Sequence, residues 1–339
     1  MREDLSTATL NSSLSTLDAL SAYGGLAALA RRTRHEPAEV EVLPGDVGRR
    51  RYLRLVLEGG RTVLGVVYSP EEADSRRRWV AARAVLGERL RVPQLIADDE
   101  AGNHLVEDLG RTDLAARLLQ CPPERSEWLS RAVAAAAVLA AMPDPEINLP
   151  FDAAFFRREL ELAREAVFDL LLQVPLSPDE RAAHDAWADA LCREIAAHPR
   201  TLCHRDYHGN NLFPLETGVG WIDFQDLRSG PDSYDLASLL WERTTLDWMA
   251  EDLASAVIDE YARARKVSAT QLRVRFDRVL LQRAWKVCGT FARAVAQGRG
   301  EVYRRYLPGE IALVGRLLSQ TPEDRRFRRV FEARLARLC

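Results

Sequence analysis

The apolar pattern changes texture near residue 113. Before it, short segments dominate. Arg51–Leu57 ("RYLRLVL") partly alternates, Thr62–Tyr68 ("TVLGVVY") is β-branched and apolar, and Glu58–Gly60 ("EGG") makes a turn between them. That pattern predicts two strands. Strand-like texture begins at Val40, and two further short strands are expected around Pro93–Ala97 and His104–Glu107, split by the polar turn "DDEAGN". A charged helix is expected over Glu71–Leu90. Another is expected over Leu14–Arg32, with Leu14, Leu17, Leu20 and Tyr23 near one face.

Beyond Asp113 the pattern predicts helices over 113–120, 124–142, 152–172, 178–198, 233–247, 249–265, 270–297, 301–319 and 323–337. Proline clusters at Pro122–Pro123, Pro143–Pro145 and Pro175–Pro178 separate several of them. One polar interruption, residues 201–232, contains a strand, "GVGWIDF". The expected class is α+β in two lobes: a tail and helix over 1–35, a small β-rich lobe over 36–108 and a large helical lobe over 109–339. A cleft between such lobes is a common place for a ligand.

Composition narrows the partners. At 339 residues and 47% hydrophobic the chain can bury a sizeable core. A net charge of −3 points away from nucleic acid. The longest apolar run, Ala132–Met142, is too short to span a bilayer, and the N-terminus lacks the apolar core of a secretory signal. The cysteines at 121, 192, 203, 288 and 339 are odd in number and without a CxxC pair, so reduced cytoplasmic thiols are expected. Nothing in the pattern specifies an oligomeric state. Of 47 basic residues only Lys266 and Lys286 are lysines, which restricts where a catalytic lysine could stand.

The chemistry concentrates in "LCHRDYHGNNLF", Leu202–Phe213, where Asp206 is followed five residues later by Asn211. A strand then ends in "WIDFQD", placing Asp223 at its end. Phosphoryl transfer from ATP needs a base at the attacking hydroxyl, oxygen ligands for magnesium, and donors along the phosphates. Two carboxylates and an amide in this spacing supply the first two needs. H-R-D-x-x-x-x-N followed by D-F is the protein-kinase catalytic signature. Asp206 is therefore expected to orient and deprotonate the acceptor hydroxyl, and Asn211 and Asp223 to bind Mg2+. His204 is expected to hold the loop through backbone hydrogen bonds. His208 is placed to face substrate, and Asp226 to ligate a second metal, contact substrate or cap a turn. Asp235, near the start of an apolar helix, is expected to cap it or accept from buried loop amides.

These residues resemble the aminoglycoside phosphotransferase superfamily, of protein-kinase-like fold. Within it they are most similar to bacterial cell-wall recycling kinases that phosphorylate N-acetylmuramate and N-acetylglucosamine at the anomeric hydroxyl. The resemblance is carried by "HRDYHGNNL", "IDFQD", "GPDSYDLASLL", "RRYLRL", "VEDLG" and "QRAWKVCGTFAR", over about residues 40–310. It implies ATP and Mg2+ as cofactors, Asp206 as base, Asn211 and Asp223 as metal ligands, and "VEDLG", with Glu107 and Leu109, as the hinge that holds adenine. It also implies a phosphate-covering loop "PGDVGRRR" containing Gly45 and Gly48. The strand lysine that holds phosphates in protein kinases is missing, since Gly65 and Val66 occupy the third strand. Arg49, Arg50, Arg51 or Arg54 is expected to meet that charge. "WERTT" after "SLL" stands where the recycling enzymes resembled here would carry a basic-acidic pair.

The short span from Asp223 to Asp235 leaves no room for an activation segment, which favours a small-molecule acceptor over a protein. Cationic acceptors call for carboxylates or aromatic cages, but the segment Arg273–Arg305 is basic. Arg283, Lys286 and Arg293 on it are the expected acceptor-binding residues, suited to the lactyl carboxylate of N-acetylmuramate or to sugar hydroxyls. A kinase of another hydroxyl compound (an aminoglycoside, a choline-like amino alcohol or a ketosamine) and a non-catalytic nucleotide-binding regulator are the alternative readings.

Overall fold

A computed structural model describes residues 20–335 apart from 21, 44–49 and 299. The first part of the expected 14–32 helix, the end of the expected 323–337 helix, and Gly45, Gly48 and Arg49 lie outside the described residues. The chain forms two compact units: residues up to Val80 with Pro93–Leu109, and Ala81–Val92 with Gly110 onward.

In the first unit, α1 (Gly24–Arg32) precedes the strands β1 (Pro37–Leu43), β2 (Arg51–Leu57) and β3 (Thr62–Val67). Helix α2 (Ala73–Leu86), which runs on into the second unit, is followed by β4 (Leu95–Asp98) and β5 (Asn103–Glu107). The strands make one antiparallel sheet in the order β1-β2-β3-β5-β4. The two-residue period of β2 sends Leu53, Leu55 and Leu57 to one face. There they join Val63, Leu105 and the α1 residues Leu26, Leu29 and Ala30 in a single apolar core. Burial of each such leucine contributes about 1.5–3 kcal/mol. Arg54 points the other way along β2 and pairs with Asp108, Nε to Oδ2 at 2.6 Å.

The second unit begins with the end of α2 and continues with α3 (Leu114–Gln120), α4 (Arg125–Ala140) and α5 (Ala153–Arg164). The latter passes directly into a π-helical stretch, Glu165–Leu171. Next come α6 (Pro178–Ala196), the short strands β6 (Arg200–Cys203), β7 (Leu212–Leu215), β8 (Gly218–Trp221) and β9 (Arg228–Pro231), and α7 (Tyr234–Leu240). The chain continues through α8 (Glu251–Arg265), α9 (Ala269–Ala296), α10 (Glu301–Arg304), α11 (Leu307–Gln320) and α12 (Arg325–Leu335). Side-chain caps fix several starts. Asp113 accepts from the Ala116 amide, Asp152 from Phe155, and Ser268 from Gln271. Ser177 and Glu180 make a reciprocal capping box.

Two expectations are corrected. The helix expected over 233–247 stops at Leu240, because the Thr245 hydroxyl donates to the Leu240 carbonyl and accepts from the Glu242 amide. A side chain has taken over the backbone groups that would have continued the helix. The helix expected over 301–319 is broken into α10 and α11. Among the described residues no helix is long and apolar enough to cross a membrane, and Cys121, Cys192 and Cys203 are free thiols.

Helix α9, 28 residues long, runs through the unit with fifteen of them buried. Gly289 lets it meet α5 backbone to backbone. A Cβ there would fall 2.3 Å from the Ala163 Cα. That contact fixes which residues of the two helices face one another a turn away.

Candidate active site

The polar loop hangs between β6 and β7. Strand β6 pairs antiparallel with β9 and delivers the chain to His204, while β7 pairs with β8 so that Leu212 faces Trp221. The hairpin register extends one step, with the Ile222 amide donating to the Asn211 carbonyl at 3.0 Å. Asn211 and Asp223 thus sit at the open end of one hairpin. Asp206 is tied to them through the chain, for Asn211 Nδ2 donates to the Asp206 carbonyl at 2.9 Å.

The loop is held from several sides. Asp235, in the first turn of α7, accepts the His204 amide at 2.6 Å and the Arg205 amide at 3.0 Å. His204 is fully buried, with Nε2 2.9 Å from the Ile222 carbonyl and rings of Tyr207 and Trp221 beside it. Tyr207 donates to the Ala132 carbonyl of α4 at 2.7 Å. A Cβ on Gly209 would lie 2.8 Å from the Ala115 backbone nitrogen, so only glycine fits where the loop crosses α3. Asn210 bridges Asp113 at 3.1 Å and Arg243 at 3.2 Å. Two non-glycine residues here have left-handed backbones, Arg205 at φ 82° and Asp223 at φ 60°. Such conformations cost on the order of 1–3 kcal/mol and cluster at functional sites.

Burial alone would favour the neutral acid at Asp206, yet the charges of Lys286, Arg205 and Arg283 outweigh it. They hold the carboxyl well below the usual range. Arg283 reaches in from α9, donating to the Arg205 carbonyl at 3.1 Å and to Ser238 Oγ at 2.7 Å, with its guanidinium over the Tyr234 ring. Burial pushes His208 down to about 4, so it is neutral at physiological pH.

The donor set suits a small hard cation. With Asn211 Nδ2 donating to the Asp206 carbonyl, its Oδ1 is the atom left for a metal. Asp223 adds a carboxylate, whose Oδ1 is oriented by Gln225 Nε2 at 2.7 Å. Oxygen ligands of this kind fit Mg2+. A different grouping, Glu161, His184 and Asp185, brings three ligand atoms within 4.8 Å. Its carboxylates already pair with Arg157, Arg164 and Arg181, a field that disfavours a cation.

The other expected residues divide. Lys286 stands 3.6 Å from Glu159 of α5 and is the strongest single charge on Asp206. Asp226 pairs with Arg205 at 3.0 Å. Arg293 instead donates to the Leu162 carbonyl and Glu165, away from the loop. In the first unit Arg54 is held in a two-point bond by Asp108, 2.6 and 3.2 Å, and is removed from the phosphate candidates. Arg51 is exposed on β2, Glu107 accepts from the Gln94 amide at 3.2 Å, and Leu109 is buried.

Several residues near the loop carried no signal in the sequence. Glu159 is one acid in the charged run "RRELELARE", and only the α5–α9 contact brings it to Lys286. Glu242 and Glu310 are both buried. Burial, with Glu242 nearby, pushes Glu310 up to about 8.

A kinase-like loop, a hairpin presenting an amide and a carboxylate, and a five-stranded antiparallel sheet in a separate unit define a phosphotransferase of protein-kinase-like fold. The chain belongs to the phosphotransferase enzyme family, whose model matches residues 39–308, and it transfers a phosphoryl group to a hydroxyl. It is 30% identical over 309 residues to an N-acetylmuramate/N-acetylglucosamine kinase of Pseudomonas aeruginosa, covering 85% of this chain and 90% of that protein. A Neisseria meningitidis protein of the same name is 27% identical over 275 residues, covering 78% and 80%. The ADP-bound crystal structure of aminoglycoside phosphotransferase APH(2'')-Ib superposes with a TM-score of 0.60 at 13% identity, covering 91% of this chain and 98% of that one.

Proposed function

We propose that the protein is an ATP- and magnesium-dependent kinase of amino sugars, acting on the anomeric hydroxyl of N-acetylmuramate and N-acetylglucosamine. One observation carries the reading: Arg283 of α9 donates to the Arg205 carbonyl, next in the chain to Asp206, with Lys286 one turn along the same helix, in a chain whose relatives bear that substrate name. Cations near the base suit an acceptor with a carboxylate or many hydroxyls better than a polycationic antibiotic.

Asp206 accepts a hydrogen bond from the anomeric hydroxyl and aims its oxygen at the terminal phosphorus. A carboxylate this acidic is a weak base. It takes the proton late, as the O–P bond forms and the hydroxyl becomes acidic, which matches the loose transition state of phosphoryl transfer. Asn211 Oδ1 and Asp223 would hold Mg2+, which would supply charge neutralisation along the phosphates. Asp235, His204, Tyr207 and Arg283 keep the loop in register. Glu107, Leu109, Arg50 and Arg51 remain the nucleotide candidates among the described residues.

The test is phosphorus NMR of products from free sugars and from their methyl glycosides, with ATP and magnesium. A 1-phosphate from the free sugars only is expected. Equal turnover of the blocked glycosides would overturn the anomeric assignment, and turnover of aminoglycosides alone would overturn the sugar assignment.

A further inference from the structure

Lys286 has an unusual setting. Its side chain is 21% exposed, with Nζ 3.6 Å from Glu159 Oε1. That is longer than a formed hydrogen bond of about 2.7–3.2 Å, so the ammonium is neighboured by the carboxylate without being clasped. Glu159 is held at its other oxygen, where Gln282 Nε2 donates at 2.9 Å. Gln282 and Lys286 lie one turn apart on α9, and both meet α5 through the same acid. Tyr234 is fully buried among these charges, and its hydroxyl has no hydrogen-bond partner among the described residues. Burial opposes the ammonium, but Tyr234, Glu159 and Asp206 together raise its pKa, so Lys286 is cationic.

We propose that Glu159 sets acceptor specificity by acting through Lys286, as a loose counter-ion that lets one site take both a carboxylate-bearing and a neutral amino sugar. The inference rests on the amino-sugar reading above and deepens it. An ammonium with Asp206 as its only acidic neighbour would reward an anionic acceptor and be under-compensated with a neutral one, a cost for a partly desolvated charge. With Glu159 fixed in place by Gln282, the ammonium swings to the carboxylate of an anionic sugar and returns to Glu159 when a neutral sugar binds. Glu159 is thus a positioning residue, and Lys286 the group that touches the acceptor.

Two measurements test this. Steady-state kinetics on both sugars would compare the native chain with Glu159→Gln and Lys286→Met. Glu159→Gln is expected to favour N-acetylmuramate, changing the ratio of the two KM values several-fold. Lys286→Met is expected to move that ratio the opposite way by about tenfold or more, the scale of a lost charged hydrogen bond, with kcat changing less. Equal changes for both sugars, or shifts in the reverse directions, would overturn the proposal.

The second measurement uses the fact that the chain has only two lysines. Reductive dimethylation with carbon-13 formaldehyde and cyanoborohydride labels the two lysines and the α-amino group, and Lys266→Arg together with Lys286→Met assigns the lysine signals. The Lys286 signal is expected to move on titration with lactate and not with glycerol, and to move at lower lactate concentration in Glu159→Gln. No response to lactate in either chain overturns the charge recognition. Failure of the native enzyme to phosphorylate either sugar, with the lactate response intact, would instead remove the sugar assignment and leave the paired charges standing.

Discussion

The Asp235 carboxylate accepts both the His204 and the Arg205 amides, at 2.6 and 3.0 Å, so one buried side chain sets the backbone from which Asp206 projects. Asp235→Asn keeps the shape but turns an N–H donor against one of those amides. A stability loss of roughly 2–4 kcal/mol is expected, measured by urea denaturation, with a fall in kcat exceeding any change in nucleotide affinity.

Asp206→Ala is expected to lower kcat by about 10²–10⁴-fold, the range for a general base, while nucleotide affinity measured by calorimetry stays within about twofold. Because its carboxyl is held below the ordinary range by Lys286, Arg205 and Arg283, Asp206 stays ionised through mildly acid pH. The native enzyme should therefore lose no activity between about pH 8 and pH 6 through protonation of this base.

Asn211→Ala and Asp223→Asn each remove an oxygen proposed for Mg2+. Both variants are expected to need more magnesium for half-maximal rate, and chelation should abolish turnover of the native enzyme reversibly. A magnesium requirement unchanged in either variant would reject that residue as a ligand.

Glu310 gives a pH dependence of stability. Burial raises its folded-state pKa to about 8, above the unfolded value of about 4.3. Between those values the folded chain keeps a proton that the unfolded chain releases, so stability falls as pH rises through that window. Glu310→Gln should relieve this, with a gain over the native chain larger at pH 8.5 than at pH 5 by more than about 1.4 kcal/mol, the equivalent of one pKa unit. Urea midpoints at both pH values measure it.

The sheet and most helices were readable because their periods run long enough to show. β2 was expected at Arg51–Leu57 and found there, and α9 and α6 were expected within two residues of their ends. The loop motif was equally plain, since its chemistry depends on local spacing. The strands β6, β7 and β9 were not foreseen, because these four-residue segments lie within the polar interruption and carry little β-branched apolar character. Sequence proposed Arg54 for its charge, and Arg293 for its charge and its place two turns from Lys286 on one helix face. Asp108 and Glu165, which pair with them, lie 54 and 128 residues away, beyond any periodic signal. The same distance hid Glu159 from Lys286.

At the α5–α9 crossing, a hydrogen atom at Gly289 stands where any other residue would place carbon 2.3 Å from Ala163. Even an added methyl would pry the helices apart and draw the Lys286 ammonium off its acid a turn away. If Glu159 acts through Lys286 as proposed, discrimination between sugars would then be governed from a position outside the charged pair, through the spacing of the two helices.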